Sequence, residues 1–135
     1  MTPEKITGPE LKHQLAQFFG TENYYIHSLF SSDKITYTDG VKFWVEKVGG
    51  YWFLDIIVTE FIPYINNPKN SNGPFSLTSF CEVELTVNHD GTALILLNDG
   101  NGSTLETKRI SFTDCPDGVW KFWIENGVMI LPSEH

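Results

Sequence analysis

The chain has 135 residues and carries 9 basic against 17 acidic side chains, a formal net charge of −8. That length suits one self-supporting core and not two ordinary domains, and 41% apolar with 14% aromatic residues exclude a disordered chain. The acidic balance argues against recognition of nucleic acid through its phosphate backbone, which needs clustered cations; the one adjacent basic pair is Lys108-Arg109.

The charge is shared unevenly. Residues 1–74 hold 8 acidic and 6 basic groups, whereas 75–135 hold 9 and 3. The second half therefore offers a mildly negative surface, which either steers a basic partner or simply keeps the protein soluble. Cys81 and Cys115 form no CxxC pair and no Cys/His array of the kind that holds zinc. The longest apolar run, residues 51–65, is interrupted by Asp55 and Glu60 and falls short of the roughly 20 residues a membrane helix needs. The N-terminus lacks the apolar stretch of a signal peptide. These features lead us to expect a cytoplasmic protein with reduced thiols, no metal and no cofactor.

Helix signals come first. Thr7 can cap a helix with Glu10 reaching back, Pro9 suits the first turn, Leu11, Leu15 and Phe18 make an apolar stripe, and Gly20 stops it. Residues 21–30 are rich in aromatics and ambiguous, with one short helical turn expected around Tyr24 and Tyr25. Asp39 is expected to cap a second helix, in which Val41, Trp44, Val45 and Val48 share a face until Gly49-Gly50. Residues 51–62 are apolar nearly all round, and their length favours a helix over a strand.

A polar connector at 66–74 separates this helical half, about 7–65, from a half at 75–132 whose period is two. Cys81, Val83, Leu85 and Val87 alternate with polar residues as in a half-buried strand. Asp90-Gly91 turns the chain into 92–98, and further strands follow at 105–113, 119–125 and 128–131. The last two flank Asn126-Gly127, the strongest short hairpin signal. Pro132 suits the end of an edge strand. The expected architecture is α+β in a single domain, 1–135, with N-terminal helices packed on a C-terminal antiparallel β-meander of about five strands.

Several runs, taken together, resemble a bacterial family of unknown function whose members occur on chromosomes, plasmids and phages. They are Leu15-x-x-Phe18-x-Gly20-Thr21-Glu22-x-Tyr24-Tyr25-x-His27, Tyr37-Thr38-Asp39-Gly40-Val41-Lys42, Tyr51-Trp52-x-Leu54-Asp55, and Glu125-Asn126-Gly127-Val128-x-x-Leu131-Pro132-Ser133-Glu134. The likeness spans about 11–134. It implies a small stand-alone protein, often carried by mobile elements, and it brings no activity with it. By analogy such proteins are often binders or inhibitors of host systems, anti-defence proteins among them.

No motif for a phosphate loop, nucleophile elbow, zinc protease, calcium site or kinase is present. Two groups of residues invite a functional reading. Tyr24, Tyr25, His27, Tyr37, Asp39, Trp52 and Asp55 are polar-tipped or ionisable residues in the helical half. Asp55, inside the run 52–58, is expected to be buried and bonded by a Tyr hydroxyl, Trp52 Nε1–H, His27 or Lys42. That group would serve either as a core network that fixes helix packing or as a ligand pocket, with His27, Asp39 or Asp55 as acid or base in an enzyme.

The second group centres on Trp123, which shares a strand face with Val119, Lys121 and Glu125 and would lie outside if the charged face meets water. With Glu82 and Glu84 on the same sheet face, Trp123 and Lys121 would anchor a protein partner or a second copy in a homodimer. Since nothing assembles a nucleophile, metal or phosphate site, a non-enzymatic protein-binding module is the preferred expectation. A small-molecule binder and an enzyme of unrecognised type are the alternatives.

Overall fold

Thr7 caps the first helix as its position suggests, accepting the Glu10 N–H at 3.3 Å. A computed structural model, which describes residues 6–29, 33–67, 69 and 79–135, gives this helix as α1 (Gly8–Leu15). It stops one turn before Gly20; Leu11 is fully buried while Leu15 and Phe18 pack only partly against the core. Strands β1 (Tyr24–Ser28) and β2 (Lys34–Thr38) follow and pair antiparallel. The aromatic stretch around Tyr24 and Tyr25 is thus a strand and not a helical turn.

Helix α2 (Asp39–Val48) begins directly after β2. Its cap is Thr38, whose hydroxyl accepts the Val41 N–H, and not Asp39, which is the first helical residue and turns its carboxylate elsewhere. Gly49 ends α2 at φ 63°, a left-handed conformation that glycine adopts without Cβ strain. The chain then turns by 119° into a second long helix: α3 (Tyr51–Ile56), one π turn (Ile57–Phe61) and α4 (Ile62–Asn66). So the helix expected at 51–62 is present, with a widened middle. Pro63 explains the widening in part, because it offers no N–H and its ring would press on the carbonyl four residues back. Across the π turn the Ile62 N–H instead reaches the Ile57 carbonyl, five residues back. No single helix among the described residues is long and apolar enough to cross a membrane. Most of the expected connector at 66–74 lies outside the described residues.

Five more strands complete the sheet: β3 (Cys81–Val87), β4 (Ala93–Asn98), β5 (Thr104–Ile110), β6 (Gly118–Glu125) and β7 (Val128–Ile130). Asn126 at φ 51° and Gly127 at φ 80° make the tight turn between β6 and β7. The strand order is β1-β2-β7-β6-β3-β4-β5. This corrects the expected five-stranded antiparallel meander in three ways. Among the described residues there are seven strands, the helices are interleaved with them, and β2 runs parallel to β7. Consequently β7 is not an edge: it joins the β1–β2 hairpin to the rest.

Burial alternates along β3 and β4. Cys81, Val83, Leu85 and Ile95 face the helices, and Glu82, Glu84 and Leu96 face the other way. The core is centred on Trp44, fully buried, whose ring centroid lies 4.9 Å from Phe122, 5.4 Å from Phe53 and 6.3 Å from Trp120. Both thiols are buried, and burial pushes each up to about 12, so neither is a ready nucleophile at neutral pH.

A short 3₁₀ turn, Pro132–Glu134, follows β7. From it Glu134 reaches back to the start of α2. Its carboxylate accepts the Thr38 hydroxyl at 2.6 Å, the Gly40 N–H at 3.2 Å and the Leu131 N–H at 3.0 Å. A negative charge at a helix N-terminus is the favoured arrangement. Gly40 is what lets it approach: a Cβ there would stand 2.6 Å from Glu134 Oε1 and from Leu131 Cδ1.

Candidate functional site

The period of two along β1 divides the expected aromatic and ionisable group between two faces. Tyr25 and His27 point toward the helices, whereas Tyr24 and Ile26, 62% and 63% exposed, point away. On the helical side Tyr25 with Asp39 and His27 with Asp55 form two separate hydrogen-bonded sets and not one pocket.

The first set is built on Asp39. Its Oδ2 accepts the N–H groups of Glu22 and Asn23 at 3.0 and 3.2 Å, and its Oδ1 accepts the Tyr25 hydroxyl at 2.8 Å. Lys42 sits 4.3 Å from the Tyr25 ring centroid and 3.8 Å from Glu46. The Tyr25 hydrogen bond, aided by the backbone donors, holds the Asp39 carboxyl below the usual carboxylate range, and the same bond raises the Tyr25 phenol. Tyr37 is buried against Tyr25, with centroids 5.5 Å apart, and its phenol is raised chiefly by burial.

A group whose folded value is depressed contributes stability above its unfolded value and loses it as pH falls through the folded one. Asp39 therefore steadies the β1–α2 junction above about pH 4 and releases it in acid; Asp90, lowered by its bonds to Thr92, acts in the same window. We expect Asp39→Asn to flatten the acid limb of a stability–pH curve below about pH 4, measured by urea unfolding at stepped pH. An unchanged limb would show that the junction draws nothing from this carboxylate.

The second set is a pair. His27 Nε2 lies 2.7 Å from Asp55 Oδ1, with the Tyr51 ring 6.2 Å from the imidazole. Of the donors expected for Asp55, the structure selects His27. It also corrects the expected burial: the Asp55 side chain is 47% exposed and His27 18% exposed. The helix there buries Phe53, Leu54, Ile57 and Val58 and turns Asp55 to the rim, while the Thr59 hydroxyl bonds the Asp55 carbonyl at 2.8 Å. Trp52 joins neither set and packs partly buried against Phe53 at 5.9 Å.

Asp55, the partner that keeps nearly half its surface in water, can be rehydrated when the pair is lost, as at surface pairs worth about 0–1 kcal/mol. Asp55→Asn should accordingly cost less than about 1 kcal/mol in urea unfolding. A loss several times larger would restore the reading of a core network. An open cleft of about 730 Å³ between residues 17–22 and α2 reaches Asp39, Lys42 and Glu46 but is lined by neither His27 nor Asp55. Among the described residues no group of three or more His, Cys, Asp or Glu side chains is placed to hold a metal.

The opposite face of the sheet is where the Trp123 group lies. Trp123 stands outward, as its parity suggests, half-buried between Phe80 at 5.5 Å and His135 at 5.2 Å. Its Nε1–H donates to Glu82 Oε2 at 3.1 Å, and Glu82 Oε1 accepts from Asn98 at 3.3 Å. Glu84 is cross-strand to Lys121, and His135 pairs with Glu125 at 2.9 Å. Following the register through Ile130, Val128 and Thr36 puts Ile26, and with it Tyr24, on this same face. Ile26 did not stand out in the sequence, since an isoleucine in an apolar stretch carries no mark of exposure until the strand's parity is known. Among the described residues the α-helices pack on the other side, and the C-terminal 3₁₀ turn brings His135 against Trp123 on this one.

The fold and its surfaces thus define a mixed α+β protein whose sheet, among the described residues, carries its α-helices on one face. The chain belongs to the family of unknown function DUF6876, whose family model matches residues 9–135. No curated protein and no solved structure matches it.

Proposed function

We propose that this is a non-enzymatic, cytoplasmic protein-binding module whose docking surface is the helix-free face of the sheet. One observation carries the reading: that face joins the exposed Tyr24 and Ile26 to the pre-bonded Trp123 within a rim of carboxylates, Glu82, Glu84 and Glu125. Aromatic anchors held in place by hydrogen bonds are common energetic centres of interfaces, and they lose little freedom on binding. The carboxylates, in a chain of net charge −8, favour a partner with a basic surface. A mobile-element inhibitor acting on a basic host protein would have these properties.

The test compares tagged wild-type protein with a Trp123→Ala/Ile26→Ser variant, first checked for an intact circular dichroism spectrum. Each is used to capture proteins from host lysate, and any captured partner is then purified and titrated calorimetrically. The reading expects one stoichiometric basic partner whose affinity falls with salt and at least about tenfold in the variant. A partner bound equally by the variant, an acidic partner, or no partner at all would overturn it. A dimer at micromolar concentration that the variant abolishes would replace the foreign partner with a second copy of this chain.

A further inference from the structure

Strand β6 is paired with β3 over all but its last residue, from Gly118 opposite Val87 to Ile124 opposite Cys81, but with β7 only over Trp123–Glu125. In an antiparallel sheet the main-chain groups of alternate residues point to opposite neighbours. Asn126 N–H bonds on the β3 side, to the Ser79 carbonyl, so the odd-numbered residues of β6 point toward β7. Val119 and Lys121 therefore turn their N–H and C=O groups to a side where, among the described residues, no strand meets them. The reason lies in the sequence. Continuing the register of Trp123 with Ile130 would set Pro132 opposite Lys121, and proline has no N–H to offer. The chain leaves the sheet there instead, into the turn that carries Glu134 to α2.

In place of a strand there is a groove of about 400 Å³, within the usual range of ligand sites. Leu15 of α1 and Ala16 just after it form one wall and Leu131 and Pro132 the other, with Lys12 and Lys121 lining it as well. Neither lysine is ion-paired among the described residues; Lys12 lies 5.4 Å from the Trp120 ring centroid, and Lys121 faces Glu84 without a salt bridge. Four unmet main-chain groups in a row call for another main chain in extended form. Two free ammonium groups, in a chain with only 9 lysines and arginines, call for acidic side chains on it.

We propose that the Val119–Lys121 edge accepts an acidic, extended peptide segment of a partner protein as an added strand, with its carboxylates on Lys12 and Lys121. Lys121 also borders the helix-free face, opposite Glu84, but the proposal rests on the main-chain edge of β6 and stands or falls without the reading given to that face.

The test has two parts on the full chain. Amide hydrogen exchange read by NMR should find Trp120, Phe122 and Ile124 protected and Val119 and Lys121 fast-exchanging in the free protein. Slow exchange at Lys121 would mean that the edge is already paired, and would overturn the proposal. A displayed library of random twelve-residue peptides is then panned against the protein. Enriched peptides should be rich in Asp and Glu, lack proline, and slow exchange at Val119 and Lys121 when synthesised and added. Lys12→Glu/Lys121→Glu should weaken them at least about tenfold, and N-methylation at alternate peptide positions should do the same. Failure to enrich, enrichment of basic peptides, or binding indifferent to N-methylation would each overturn it.

Discussion

Replacing Trp44 by alanine is expected to destabilise the protein by about 3–5 kcal/mol, the usual cost of deleting a large aromatic side chain from a packed core. Trp44 is fully buried and touches Phe53, Trp120 and Phe122, so the void would open between α2, α3 and the centre of β6 with three rings unable to close it. For a chain of this length the midpoint of thermal unfolding would fall by roughly 10–20 °C. The comparison with Trp44→Phe is the more informative half. The indole Nε1 is buried with no hydrogen-bond partner among the described residues, and an unsatisfied buried donor costs about 1–3 kcal/mol. Phenylalanine keeps most of the ring contact and removes that donor, so it should cost far less than alanine. Equal losses from the two variants, measured by urea unfolding, would contradict this account of the site.

Glu134→Ala is expected to cost about 2–4 kcal/mol, because it strands the Thr38 hydroxyl, which is 1% exposed, and leaves the Gly40 and Leu131 N–H groups without their acceptor. Gly40→Ala should cost a similar amount by a different route. The added methyl would occupy the space of the carboxylate and of the Leu131 side chain. Because each change breaks the same contact, the double variant should lose clearly less than the two single losses combined. Additive losses in a double-mutant cycle would mean that Gly40 and Glu134 act separately.

Elements with local signals were legible in the sequence. Thr7 with Pro9, the left-handed Gly49 after the Val41–Val48 stripe, the alternation from Cys81 to Val87 and the Asn126-Gly127 turn all sit where they should, since each is decided by neighbours a few residues away. The first two strands were not. Each has five residues, and β1 sits at the sheet's edge, so its two faces differ little in burial. β2 pairs along its length with β1 and, at Thr36 and Tyr37, with β7, whose partner residues are about 90 positions away in the chain. Local propensity cannot report such a contact.

Asp55 shows the same limit from another side. An apolar run looks uniformly buried until the helix phase is known. Here the buried positions Phe53, Ile57, Phe61 and Ile65 repeat every four residues, a spacing that drifts around an α-helix of 3.6 residues per turn. The π turn absorbs that drift, and the period of four, together with Pro63, was the available sign of it. The candidate surfaces divide likewise. The outward stance of Trp123 followed from strand parity, whereas the His27–Asp55 pair and the free edge of β6 depend on which segments meet in space.

The three-residue strand β7 has a consequence for how the protein comes into being. Remove it from the strand order and the sheet separates into β1–β2 on one side and β6-β3-β4-β5 on the other. The contact that secures the start of α2 likewise joins Thr38 to a residue 96 positions later. A chain emerging from the ribosome can form α1, α2 and the β1–β2 hairpin early, and Trp44 can seat on Phe53 and Phe122 as these follow, but β2 and β6 have no strand between them until residues 128–134 have been made. Closing so large a loop is entropically expensive and slow. Until β7 slots between them, the two parts of the sheet are unfinished pieces with an open apolar seam, exposed to chaperones and proteases.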